Sequence, residues 1–560
     1  MPTTALDDAF DTEAWSMALP GGTPLVVAGE PPEALYRLVA GRLAEVEQVS
    51  GQGERVTAVH RPGAIIGGAQ ILSDGVHRTT VTALRDSELL VMPVARVVAL
   101  LHERPEFLAD VARVALTRMG AADPVDQRKS SILGLVAVCD SVRMRDLAEQ
   151  LATAMRRLGS KVAVLGVEAD GCPPHRLSEL ETENDLVLMA AERGEPGFAA
   201  WCGRQIDRLI LVGGAASPLP AGPIAFAAAA IERHRLLDFI LIQPADARLP
   251  ATTDRWLSVA PASRLFHLRE GAPADLARLA RIYTGKSVGL VLSGGGARAY
   301  AHVGVARALG ELGVPIDFLA GASMGAVVAA GLAMGWDGDE LDRRIQDAFV
   351  ASSPLSDIAF PLLAMTRGKL VDRRLETHFG EARISDLWLP FSCVSTDLTN
   401  GEPHVHRQGL LRGALRASLS LPGVLPPVVE DGHVLVDGAL MRNLPTDLVR
   451  EQHDGVTIGV DVAASNHGLK PDDLMLHPPG LRWLTSGAWR KGPPIVSVLI
   501  RSATLPSDTA EAAMHDTLAV EILPKVDRVG LQDWKAYAPA VDAGYRATMA
   551  SAERLAKLAT

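Results

Sequence analysis

Three short stretches in the second half of this 560-residue chain hold residue types that together could perform acyl transfer. The first is Gly321-Ala322-Ser323-Met324-Gly325, which follows an apolar run of strand length and precedes the alanine-rich Ala326–Met334. A serine on a strand-to-helix corner, with Gly321 and Gly325 permitting the strained backbone, presents its hydroxyl to a site, and the helix N-terminus behind it favours negative charge there. The second is Gly294-Gly295-Gly296-Ala297-Arg298, after the strand-like Ser287–Ser293. Consecutive glycines at a helix start leave amides free to hold an oxyanion, and Arg298 adds a positive charge beside them. The third supplies a base. Two Asp-Gly pairs, Asp431-Gly432 and Asp437-Gly438, flank the strand-like His433–Val436. Sites in open α/β sheets collect at the carboxyl ends of strands, which favours Asp437 and leaves Asp431 as a turn aspartate.

These groups need a frame. Each glycine turn lies between an apolar run and a helical pattern, and two such units in succession predict a parallel sheet with crossover helices. The motifs, in this order and with Asn443-Leu444-Pro445 after Asp437, resemble the patatin-like phospholipase family, and most of all the bacterial relatives of neuropathy target esterase. The block Leu415–Val428 also matches a family segment that packs beside the active site. The resemblance implies a three-layer α/β/α hydrolase domain over residues 286–450. It also implies a Ser323–Asp437 dyad without histidine, an oxyanion hole from Gly294, Gly295, Gly296 and Arg298, and a lipid ester substrate, with peripheral membrane contact left open. It implies no cofactor and no metal. One departure is Ala299, where the family often has glycine.

The remaining chain divides by pattern. Residues 13–120 open with short β-rich runs (Thr23–Val27, Leu35–Val39, Arg55–His60, Thr79–Leu84, Glu88–Met92), then helical pattern from Val94 to Met119. This predicts a small β-barrel with C-terminal helices and resembles a cyclic-nucleotide-binding domain. Its cassette departs from that family: Ile66-Gly67-Gly68 lacks the ribose-binding carboxylate, and His77 takes the arginine position, with Arg78 one residue late. An offset of one residue in a strand turns a side chain to the other face, so cyclic nucleotide is not expected to bind. Residues 121–285 alternate strand-like runs (Leu133–Val138, Lys161–Val167, Leu186–Met189, Arg208–Val212, Asp238–Ile242) with helical ones (Met144–Leu158, Ala221–Arg235), an α/β pattern resembling the linker module of the same esterase branch. Residues 451–560 add a strand at Val456–Val462, a Pro- and Gly-rich stretch and a terminal helix as an extension of the esterase domain.

A formal net charge of −11 argues against nucleic acid as a partner. The four separated cysteines make no ligand spacing and read as thiols of a cytoplasmic protein, and no apolar run is of the membrane-spanning kind. Nothing in the sequence specifies an oligomeric state. Two other chemistries compete. Gly294-x-Gly296-x-x-Ala299 fits a dinucleotide fingerprint, with Asp317 about 20 residues on as the ribose partner. Alternatively, His433, His453, His467 or His515, all downstream of Ser323, would complete a Ser-His-Asp triad.

Overall fold

The computed structural model describes residues 4–49, 53–73, 75–120, 131–220, 236–260, 262–351, 355–359, 364–462 and 517–558. The predicted helix Ala221–Arg235, the Pro- and Gly-rich stretch after Val462, His467 and His515 lie outside them. The chain forms two compact units, residues 1–242 with 255–265, and residues 243–254 with 266–560.

In the first unit six antiparallel strands make a barrel-like sheet, dominated by Ala34–Val49 paired along Thr80–Pro93. The sequence predicts separate short strands here. The chain instead runs on through Gly41 and Arg42, with register shifts between Leu38 and Leu43 where it bends. A helix at Ala5–Glu13, capped reciprocally by Thr4 and Asp7, buries Leu6, Ala9 and Phe10 against the helices Val94–Glu103 and Pro105–Gly120. The single helical pattern over 94–119 is therefore two helices, divided before Pro105, which cannot donate to a continuing helix.

The α/β module of this unit has its strands in the order 236–243, 208–214, 132–137, 186–191, 162–165, all parallel. Arg42 and Arg85 of the barrel meet Glu181 and Asp207 of this module in a buried cluster, with Arg42–Asp207 at 2.7 Å. Asp207 also accepts the amides of Ser131 and Ile132. Two arginines and its own amide donors hold its carboxyl below the usual range despite burial.

The second unit holds an eight-stranded mixed sheet. Strands Val288–Leu292, Phe318–Ala322, Phe391–Asp397, Val456–Val460 and Val520–Ile522 run parallel. Glu402–His406 and His433–Asp437 run antiparallel to Phe391–Asp397, and Val428–Glu430 runs antiparallel to His433–Asp437. The two glycine-turn units form the expected parallel pair, Val288–Leu292 beside Phe318–Ala322. The sheet becomes mixed beyond them, where the chain reverses through the tight turn at residues 398–401, with the Gly401 amide bonded back to the Asp397 carbonyl, and again at the 430–433 hairpin. Helices Ala301–Glu311, Ser323–Ala333 and Tyr537–Ala550 share one core with the central strands, and Ser323–Ala333 is buried almost all round. Strands at 456–460 and 520–522 carry the same sheet well past residue 450.

Candidate active site

Ser323 begins its helix directly after the strand Phe318–Ala322, with φ of +53°. That left-handed backbone is costly for a residue with a Cβ and persists only where the surroundings impose it. They do so through both flanking glycines. A methyl on Gly321 would lie 2.7 Å from the Ala326 nitrogen, and one on Gly325 would lie 2.3 Å from the Ser293 carbonyl oxygen. The elbow also has a strut, from the Leu415–Val428 block. The Ser323 amide donates to Ser418 Oγ (2.9 Å), and that hydroxyl donates to the Val394 carbonyl (2.7 Å).

Ser323 Oγ donates to Asp437 Oδ2 at 2.7 Å, and both side chains are buried. Asp437 lies opposite Ser395, one residue beyond the Ala322–Val394 pair. An antiparallel strand thus ends beside the corner where a parallel one ends, which is how the carboxylate reaches the serine. The other Asp437 oxygen accepts the Ala439 amide, 2.9 Å away. Burial raises its carboxyl to about 6 from an ordinary 3.8, against the lowering effect of the Ser323 and Ala439 hydrogen bonds. Asp431 sits in the hairpin turn 430–433, with φ of +49°.

The glycine turn contributes unequally. Gly294 gives its amide to the Asn443 carbonyl (3.3 Å), and Arg298 sends its Nε–H to the Val529 carbonyl (2.8 Å). The Ala297 amide bonds to the Leu531 carbonyl, 2.9 Å away. Gly295 and Gly296 lie on the partly exposed side of the turn, and Gly296 has φ of +54°. A methyl on Gly294 would stand 3.1 Å from the Ser323 Cβ, which sets the turn against the serine.

The histidines take other posts. His433 Nδ1 pairs with Asp397 (2.6 Å), and His453 with the Ser287 hydroxyl (2.9 Å). His302 Nε2 donates to the Ser293 carbonyl (2.8 Å), and burial lowers its pKa to about 4, so it is neutral. Among the described residues no imidazole hydrogen-bonds to Ser323 or Asp437. Asp317 precedes its strand, is fully buried and is paired with Arg281 at 2.6 Å. It therefore lies at the wrong end of the strand to meet a ribose. Among the described residues no cluster could hold a metal ion, and no helix is long and apolar enough to cross a membrane.

In the barrel, His77 is buried and Arg78 is exposed. Gly68, at the position of the absent carboxylate, starts the short helix Gly68–Ser73. Glu45 bonds to Thr79 and His60, which places a carboxylate, the wrong sign for a phosphate, beside the cassette strand.

The class these features define is the patatin-like hydrolases: residues 290–450 match the family described as patatin-like phospholipase, and residues 17–104 match the cyclic nucleotide-binding domain. An uncharacterized NTE family protein of Mycobacterium tuberculosis is 31% identical over 553 residues, covering 95% of this chain and 91% of its own. The chain belongs to the NTE family, and it is a hydrolase of the lipid-esterase class. It is also similar to patatin-like phospholipase domain-containing protein 6 of Homo sapiens, 28% identical over 82% of this chain, and it spans 38% of that longer protein. Among solved structures, the catabolite activator protein of Thermus thermophilus is similar over 27% of this chain and 65% of that one, with 22% identity and a TM-score of 0.20.

Proposed function

We propose that this chain hydrolyses the carboxylic ester of a phospholipid or lysophospholipid through a Ser323–Asp437 dyad. The observation that carries the reading is the 2.7 Å hydrogen bond between a strained elbow serine and a buried carboxylate. In the first step Ser323 Oγ attacks the ester carbonyl while its proton passes to Asp437 Oδ2. The carbonyl oxygen becomes an oxyanion held by the Gly295 and Gly296 amides. Collapse breaks the bond to the leaving alcohol, whose oxygen takes the proton from Asp437. In the second step water attacks the acyl-serine, giving its proton to Asp437, and the fatty acid departs as Ser323 recovers its hydrogen. The helix beginning at Ser323 adds a favourable dipole along this path. The test is release of fatty acid from vesicles of phospholipid and of lysophospholipid, separately, by the full chain. Release from neither would overturn the substrate class.

The base must be ionised, so kcat/KM is expected to rise with pH and level off above about 6, the value to which burial brings Asp437. The sequence alone predicts a rise in the acid range with no step near the histidine value. Burial moves the carboxylate into that range, so a pH profile by itself does not separate dyad from triad. His433→Gln does: His433 is bonded to Asp397 and not to the dyad. The variant is expected to keep both the rate and the inflection. Collapse of activity in a folded His433→Gln protein would replace the dyad with a triad.

For the barrel, calorimetric titration with cyclic AMP or cyclic GMP is expected to show no binding at micromolar concentrations. The grounds are the buried His77, the outward Arg78 and the carboxylate of Glu45. Micromolar or tighter affinity would contradict this reading.

A further inference from the structure

An oxyanion-holding turn works only if its amides point one way before substrate arrives. The first amides of a helical turn have no partner within it, so something outside must fix the turn without consuming the donors the chemistry needs. Here that support comes from residues 526–534, far along the chain from the 290–450 block. The Leu531 carbonyl takes the Ala297 amide, and the Val529 carbonyl takes the Arg298 Nε–H. The contact is close: a methyl on Gly296 would lie 2.3 Å from the Leu531 oxygen. Tyr300, at the end of the same turn, packs edge-on against Trp534 and Tyr537, with ring centres 6.2 and 4.9 Å away. The helix that follows, Tyr537–Ala550, lies against Ala301–Glu311 with no room to spare. Methyls on Gly304 or Gly544 would each fall 1.9 Å from a backbone oxygen of the other helix.

We propose that residues 526–534 are a clasp that shapes the oxyanion hole, and that Arg298 is a positioning residue acting through its Nε–H···O=C bond to Val529. The proposal rests on Ser323 being the nucleophile and Gly295 and Gly296 the donors. The clasp occupies the Ala297 amide, and Asn443 occupies that of Gly294. The two amides between them keep the orientation that both anchors impose. In this role Arg298 acts by the reach of its Nε–H, apart from the electrostatic attraction between its guanidinium and Asp527.

Side-chain length separates reach from charge. Gln carries an N–H at the same number of bonds from Cα as Arg Nε, without charge. Lys keeps the charge but places a methylene there. Arg298→Gln is therefore expected to remain within about fivefold of wild type. Arg298→Lys is expected to lose about 100-fold in kcat with KM little changed, the size of loss seen when an oxyanion donor is displaced. The rate of fluorophosphonate labelling should fall in parallel, and circular dichroism should show both variants folded. Gly296→Ala, whose methyl would meet the Leu531 carbonyl, is expected to lose at least as much. Activity kept by Lys and lost by Gln would show that charge matters and overturn the proposal. So would equal loss in both, no loss in either, a change confined to KM, or full activity in Gly296→Ala. Ser323→Ala is run alongside: labelling that survives in it would sink the nucleophile assignment itself, a failure distinct from that of the clasp.

Discussion

Ser323→Ala is expected to lower fatty acid release by about 10⁴-fold or more, since the group that forms the covalent intermediate is gone. The fold should survive. One hydroxyl leaves a turn whose backbone is set by Gly321, Gly325 and Ser418, none of which depends on it. Asp437 keeps the Ala439 amide and loses the Ser323 hydroxyl, one of the two bonds that lower its pKa. Its carboxyl should therefore rise further in the variant and stay protonated to higher pH, which limits the cost of the lost bond. Thermal unfolding near the wild-type temperature with turnover abolished is the expected pair of results. Substantial turnover would place the nucleophile elsewhere.

Asp437→Asn is expected to lose nearly as much activity, because an amide cannot take the serine proton, whereas Asp431→Asn in the hairpin turn should stay near wild type. Its effect on stability has a distinctive pH signature. The folded carboxyl titrates near 6 and an exposed one near 3.8. Between those values the folded state holds a proton that the unfolded chain has released, so wild-type stability falls as pH rises through this window and is flat above it. The contribution is about 3 kcal/mol, to order of magnitude. Asn also disturbs one of the two hydrogen bonds to the carboxylate, a constant cost at every pH. The stability of the variant relative to wild type should therefore increase from pH 4 to pH 6 and then plateau, as read by denaturant melts across that range. A difference independent of pH would show that Asp437 is not held in an unfavourable ionised state.

The geometry of the candidate site was legible in the sequence where it depends on local backbone. The elbow is written in Gly321 and Gly325, which must lack a Cβ for contacts made within the same strand–turn–helix unit or just across to the neighbouring strand. Asp437 was legible as the end of a short strand, one expected to lie in a parallel sheet. The strand is antiparallel to Phe391–Asp397, and it meets the serine because the chain turns back at the 430–433 hairpin after Val428–Glu430. What the sequence could not show are partners chosen by tertiary packing. Arg298, beside three glycines, reads as a charge aimed at the oxyanion, yet its Nε–H points to a carbonyl 231 residues away. Gly294 looks equivalent to its two neighbours until Asn443 takes its amide. Ser418 lies in the block Leu415–Val428 that the resemblance places beside the active site, but its particular contact, a hydroxyl under the Ser323 amide, is set by the fold. The helix Ala5–Glu13 was missed despite the Thr4–Asp7 capping signal, because a capping box uses Glu or Gln more often than Asp at that position.

The most direct test of the dyad is to treat the full chain with an active-site-directed fluorophosphonate at pH 8, digest it and map the adduct by mass spectrometry. The account predicts one modified peptide, carrying the phosphonyl group on Ser323, formed quickly in wild type and slowly in Asp437→Asn. An adduct on another residue, or a labelling rate unchanged in Asp437→Asn, would contradict it.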